Sequence, residues 1–165
     1  MSAPTPMSVI ASEAKFLSVG VFCGLIRVDE VVEWADARFH EQDSPPTWLM
    51  DVAFATKSHV VFVITELEAI ARRLGVEKLE EAGTRRLLGL FARALEDKRF
   101  TPYQITMRLY WLEDKFPSSK VLSREIFRAE VRFRIRWKRE GDLQLARREL
   151  RRWLEQASRN PSAAN

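Results

Sequence analysis

Few residues of this chain have types that could do chemistry, so they can be weighed one by one. There are two histidines and one cysteine. His40 follows Asp36 by one helical turn and Glu33 by two, so on a helix the imidazole and carboxylates share a face. Such a set could hold a divalent cation, or let a carboxylate orient the imidazole as a base. A metal site would also need ligands from a second element, and the sequence names none. His59 follows Ser58 directly, and adjacent residues on a helix do not face each other, so the two make no catalytic pair. Cys23 sits in an apolar stretch and reads as a buried, inert thiol. The carboxylate pairs Glu66/Glu68, Glu80/Glu81 and Glu113/Asp114 are one or two residues apart, which points their side chains in different directions. Paired acid–base work is therefore unsupported. No Gly-x-Ser-x-Gly elbow occurs, and the six glycines are too scattered to build a phosphate-cradling loop or a dinucleotide fingerprint. The expectation is a protein that is not an enzyme, with no catalytic, cofactor-binding or metal-binding residue and no cofactor.

Charge is the stronger signal. The net charge of +4 hides an asymmetry, because residues 120–160 carry 13 Lys/Arg against 6 Asp/Glu while residues 1–119 carry 14 against 17. Seven acids (Asp29, Glu30, Glu33, Asp36, Glu41, Asp43 and Asp51) gather in one stretch with Arg38 as its lone base. Trp34 and Trp48 lie among them, and aromatic anchors ringed by charge describe many protein-binding surfaces. Asp29, Glu33, Asp36, Trp34 and Trp48 are accordingly the candidate partner-binding residues. The opposite pole holds Arg128, Arg132, Arg134, Arg136, Lys138, Arg139, Arg148 and Arg152. Arginine pairs with phosphate in bidentate fashion and stacks on aromatics, so these residues are the candidates for nucleic-acid binding. Interleaved glutamates (Glu125, Glu130, Glu140, Glu149, Glu155) weaken that reading. The acidic and basic poles could also join two copies as a homodimer.

The elements that must position these residues are mostly helical by punctuation. Gly24 and Gly75 stop apolar-periodic runs. Pro45-Pro46 and Thr101-Pro102 open helices, since proline suits the first helical turn. Ser58, Ser118 or Ser119, and Asp142 read as further caps. The result is seven or eight helices: about 8–22, 28–40, 48–54, 59–74, 78–97 with a break near Gly83, 102–115, 119–140 and 143–157. One segment resists. Residues 127–137 alternate apolar and charged side chains without a miss, and 103–111 alternate as well, which is the period of a strand. The two could form a minor antiparallel ribbon, although Ile126, Ala129, Phe133 and Trp137 also make a helical stripe. No internal repeat of fixed period is evident. The expected fold is all-α: one helical domain over 8–157, packed as an irregular bundle or stacked hairpins, with a flexible leader at 1–7 and a flexible tail at 158–165.

The longest apolar run, Phe16 to Ile26, is too short to span a bilayer, and no early positive charge marks a signal peptide. A cytoplasmic protein with no membrane contact is expected.

Over residues 20–75, Gly24-Leu-Ile-x-x-Asp29-Glu-Val-Val-x-Trp-Ala-Asp36 followed by Pro45-Pro46-x-Trp48-Leu-x-Asp51 resembles small uncharacterised bacterial all-helical proteins, some associated with immunity against toxins. That resemblance implies a bacterial binding protein and carries over no functional residue. The functional expectation is a non-enzymatic protein-interaction module, inhibitory or immunity-like, binding through a charged face with aromatic residues. The alternative is nucleic-acid binding through the Arg-rich C-terminal elements.

Overall fold

The computed structural model describes residues 6–55, 59–117, 120–140 and 143–159, and every regular element among them is an α-helix. In chain order these are α1 (Met7–Phe22), α2 (Val28–His40), α3 (Thr47–Ala53), α4 (Val60–Arg73), α5 (Glu81–Glu96), α6 (Pro102–Lys115), α7 (Lys120–Glu140) and α8 (Leu143–Arg159). α5 runs through Gly83-Thr84 without a break. The caps expected at Ser58, Ser118, Ser119 and Asp142 lie outside the described residues, as do 1–5 of the expected leader and 160–165 of the expected tail.

The expected ribbon does not form: 103–111 falls inside α6 and 127–137 inside α7. The alternation has a helical cause. Apolar residues at every second position divide on a helix into two rows of spacing four, roughly 200° apart at 3.6 residues per turn. In α7, Ala129 and Phe133 join Leu122 and Ile126 in a buried row, while Phe127 and Ile135 lie exposed on the other side. In α6, Ile105 and Leu109 are buried, and Tyr103 and Trp111 are exposed. Both segments are helices with two apolar faces.

The chain divides into two compact units, Met1–Leu79 and Glu80–Asn165. The boundary falls inside the 8–157 span expected as one domain. Within each unit the helices pair alike: first with fourth (α1 with α4, α5 with α8) and second with third (α2 with α3, α6 with α7). The first two helices of each unit also correspond residue by residue. Both first helices have 16 residues, and their turns match at a constant offset of 74, which takes Gly24 to Lys98. Gly24 and Lys98 are the left-handed residues of these turns, with φ of 67° and 58°. The Leu25 and Ile26 amides donate to the Gly20 carbonyl at 2.9 and 3.1 Å; the Arg99 and Phe100 amides donate to the Ala94 carbonyl at 2.9 and 3.2 Å. Each second helix opens with the same device, a side chain at its third position accepting from the N-cap amide: Glu30 from Arg27 at 2.8 Å and Gln104 from Thr101 at 2.9 Å. Thr101 Oγ1 accepts from the Gln104 amide in return, completing a capping box. The two units thus share one four-helix plan, while the offset of 74 holds only over the first two helices, so no fixed period runs through the chain.

The units secure their first helices differently. In α1, Lys15 is 5% exposed, and its Nζ lies 2.6 Å from Glu68 of α4. The Ser18 hydroxyl donates to the same carboxylate. A buried cation needs such a counter-charge and hydrogen bonds to offset its desolvation. In α5, Arg85 is 8% exposed; it donates to the Ala157 carbonyl of α8 at 2.7 Å and pairs with Glu81.

The remaining departure is at the third helix. α3 begins at Thr47 and has 7 residues, whereas α7 begins 73 positions later at Lys120 and has 21. Most of α7 therefore has no counterpart in the first unit.

Candidate interaction faces

The acidic candidates of α2 are only partly assembled. Asp29, Glu33 and Asp36 recur at helical spacing along its outer side, opposite the buried Val28, Val31 and Ala35. Glu33 and Asp36 are exposed; Asp29 is half-buried and pairs with Arg27 at 3.1 Å. Trp34 does not join this strip. Its Nε1 donates to Glu13 of α1 at 2.8 Å, and Arg38 grips the same Glu13 carboxylate at 3.0 Å while pairing with Glu41. The hydrogen bond to Glu13 holds the Arg38 guanidinium above its ordinary pKa. Trp34 thus tethers α2 to α1. Trp48 is half-buried on α3, which packs on α2.

The chemistry-bearing residues are just as plainly placed. His40 Nε2 lies 3.5 Å from Asp36 with both side chains well exposed. An ion pair in such solvent is worth little. No group of three or more His, Cys, Asp or Glu able to hold a metal ion occurs among the described residues. Cys23 is buried at the end of α1, as expected, and His59 is exposed with its ring edge against Phe62.

The basic candidates fall into two groups. On α7, Arg128 and Arg132 are exposed, joined one turn earlier by Arg124. No ion pair among the described residues engages these three. Arg134 is committed differently, with its Nε 3.1 Å from Glu130, a carboxylate 2% exposed in the helix's inner edge. On α8, Arg148, Arg152 and Arg159 form one exposed stripe opposite the buried Leu150, Leu154 and Ala157. Arg151, beside that stripe, is held by Glu96 and Glu155 at 2.9 and 2.8 Å. The side chains of Arg136, Lys138 and Arg139 lie outside the described part of α7.

Sequence reasoning overlooked the outer apolar rows. Phe127 is 58% and Ile135 48% exposed on α7, with half-buried Val131 between them. These three sit at spacing four and run beside Arg124, Arg128 and Arg132. On α6, Tyr103, Tyr110 and Trp111 are exposed around half-buried Met107. The signal was the alternation itself, which a helix converts into a second apolar face. At the offset of 74, the Asp29, Glu33 and Asp36 positions of α2 become Tyr103, Met107 and Tyr110 of α6. One face of the repeated plan is acidic in the first unit and aromatic in the second.

Compared with known families, with curated proteins and with solved structures, the chain matches none. Among the described residues, no helix is long and apolar enough to cross a membrane.

Proposed function

We propose that this chain is a non-enzymatic protein-interaction module of the inhibitory or immunity-like kind, acting by covering a partner through a charged face that carries aromatic residues. The observation that carries the reading is the outer side of α7. Phe127 and Ile135 are exposed there although the buried row of Leu122, Ile126, Ala129 and Phe133 already satisfies the unit's core. Large apolar side chains aligned on an exposed helix beside arginines fit the core of an interface, where aromatic residues and arginine are enriched. The acidic strip of α2 lacks an apolar centre, because Trp34 is turned toward α1.

The test is site-specific photo-crosslinking in the cells that make the protein. A photoreactive side chain replacing Phe127 is expected to capture one defined protein, and the same group replacing Asp36 to capture none. Scattered adducts of equal yield from both positions would overturn the reading.

A second reading, nucleic-acid binding, is favoured by the α8 stripe of Arg148, Arg152 and Arg159, since phosphate neutralisation by arginine needs no further recognition element. Its signature is binding to mixed-sequence duplex that falls steeply with salt and weakens on Arg148→Glu and Arg152→Glu.

A further inference from the structure

The row Phe127–Val131–Ile135 spans nine residues of α7, about 12 Å end to end at 1.5 Å per residue. Arg124, Arg128 and Arg132 follow the same spacing of four beside it, and all three are exposed. Spacing of four along a helix is the pattern by which one helix lays an apolar ridge against another. The flanking guanidinium groups decide what that second helix must carry. Without ion-pair partners among the described residues, three like charges a turn apart repel one another. A partner supplying carboxylates along the same edge removes that repulsion and gains charge-assisted hydrogen bonds.

Net charge points the same way. Residues 80–165 hold 20 basic and 12 acidic side chains, so this unit as a whole attracts anionic surfaces. Nucleic acid would satisfy the arginines but not the ridge. A duplex offers few apolar atoms to cover a phenylalanine and an isoleucine in a row, and Ile135 cannot stack on bases as an aromatic does. The acidic strip of α2 in a second copy would not cover the ridge either, because its exposed neighbours are Glu30, Ala37 and His40.

Resting on the interaction-module reading above, we infer that the outer face of α7 from Arg124 to Ile135 is a docking site for an acidic amphipathic helix of another protein, with apolar residues at spacing four against Phe127, Val131 and Ile135 and carboxylates against Arg124, Arg128 and Arg132.

The experiment uses the full-length protein and a fluorescein-labelled synthetic 18-residue helical peptide with leucines at spacing four and glutamates on both flanks. Its controls are a peptide of the same composition with the leucine stripe scrambled and a mixed-sequence DNA duplex, all followed by fluorescence anisotropy. The striped peptide is expected to bind at least about tenfold more tightly than the scramble. Phe127→Glu or Ile135→Glu is expected to weaken it about tenfold or more, and Arg128→Glu about threefold to tenfold, with unchanged far-UV circular dichroism. Equal binding of the two peptides overturns the inference. So does duplex binding tighter than the striped peptide and indifferent to Ile135→Glu, which assigns the face to nucleic acid. A reversible dimer by light scattering that Ile135→Glu abolishes assigns it to a second copy and overturns it too. If the striped peptide fails while crosslinking from position 127 captures a defined protein, the acidic-helix chemistry falls and the interaction module stands. Failure of both removes both.

Discussion

α2 and α6 occupy the same place in two copies of one plan, yet their outer faces differ in chemistry. Asp29, Glu33 and Asp36 on one stand where Tyr103, Met107 and Tyr110 stand on the other. The scaffold constraint is common to both: the corresponding inner positions Val31 and Ile105, and Ala35 and Leu109, are all fully buried. What the fold requires is therefore preserved on the inside, and what varies outside is available for function. By that criterion α2 has the ordinary solvated face of a helix, and the exposed apolar side chains of the first unit, Phe54 and Val61 foremost, lie outside it. The second unit has apolar rows on α6 and on the long α7, whose extra turns the plan does not require. Charge follows the same division, with 7 basic and 11 acidic residues in the first unit against 20 and 12 in the second.

The comparison can be broken first at the Lys15–Glu68 pair, which joins the opening helix of the first unit to α4. Glu68→Ala removes the carboxylate that pairs with the buried Lys15 ammonium and is expected to cost about 3–5 kcal/mol in urea denaturation. At the corresponding position of α5 stands Gly89, whose added Cβ would meet only Ser158 at 3.6 Å. Gly89→Ala is expected to be neutral or stabilising by up to about 1 kcal/mol from helix propensity.

The matched turns give the next effects. A Cβ at Gly20 would clash with the Ile26 side chain, whereas Ala94 carries a Cβ at the corresponding place. Gly20→Ala is expected to cost about 2 kcal/mol by overpacking, and adding Ile26→Val to that variant to restore part of it. Recovery of nothing would show that the two turns do not share a geometry. A smaller, signed pair follows from the left-handed residues. Gly24→Ala is expected to lose about 1 kcal/mol and Lys98→Gly to gain up to about 1 kcal/mol, both read from the denaturation midpoint. A loss in both would dissolve the correspondence. Smallest of all, Glu33→Lys with Asp36→Lys is expected to stay within about 0.5 kcal/mol of the parent and to leave peptide binding unchanged.

Much of the fold was legible because it is written in residues with strong local meaning. Gly24, Gly75 and the Thr101-Pro102 pair mark helix ends that lie where the structure places them, and the alternating acid-rich and Arg-rich stretches announced two poles. The repeat was not legible, because its two turns share a backbone rather than residues. Lys98 adopts the left-handed conformation that Gly24 advertises, and Arg99-Phe100 do the work of Leu25-Ile26. The outer ridge of α7 was hidden for a different reason. Alternation at period two reads as a strand, and only a helix sorts Phe127, Val131 and Ile135 away from Ala129 and Phe133. Trp34 shows the converse limit: its type suggested an anchor for a partner, but Glu13, distant in sequence, claims its indole.

The claim on which all this rests is that the outer row of α7 is surplus to the fold. Urea denaturation of Ile135→Glu beside Ile126→Glu tests it directly. Ile126 is fully buried, and a carboxylate there is expected to unfold the unit, whereas Ile135→Glu is expected to keep the parent midpoint within about 0.5 kcal/mol. Comparable losses from the two substitutions would contradict the account, because the row assigned to a partner would then belong to the core.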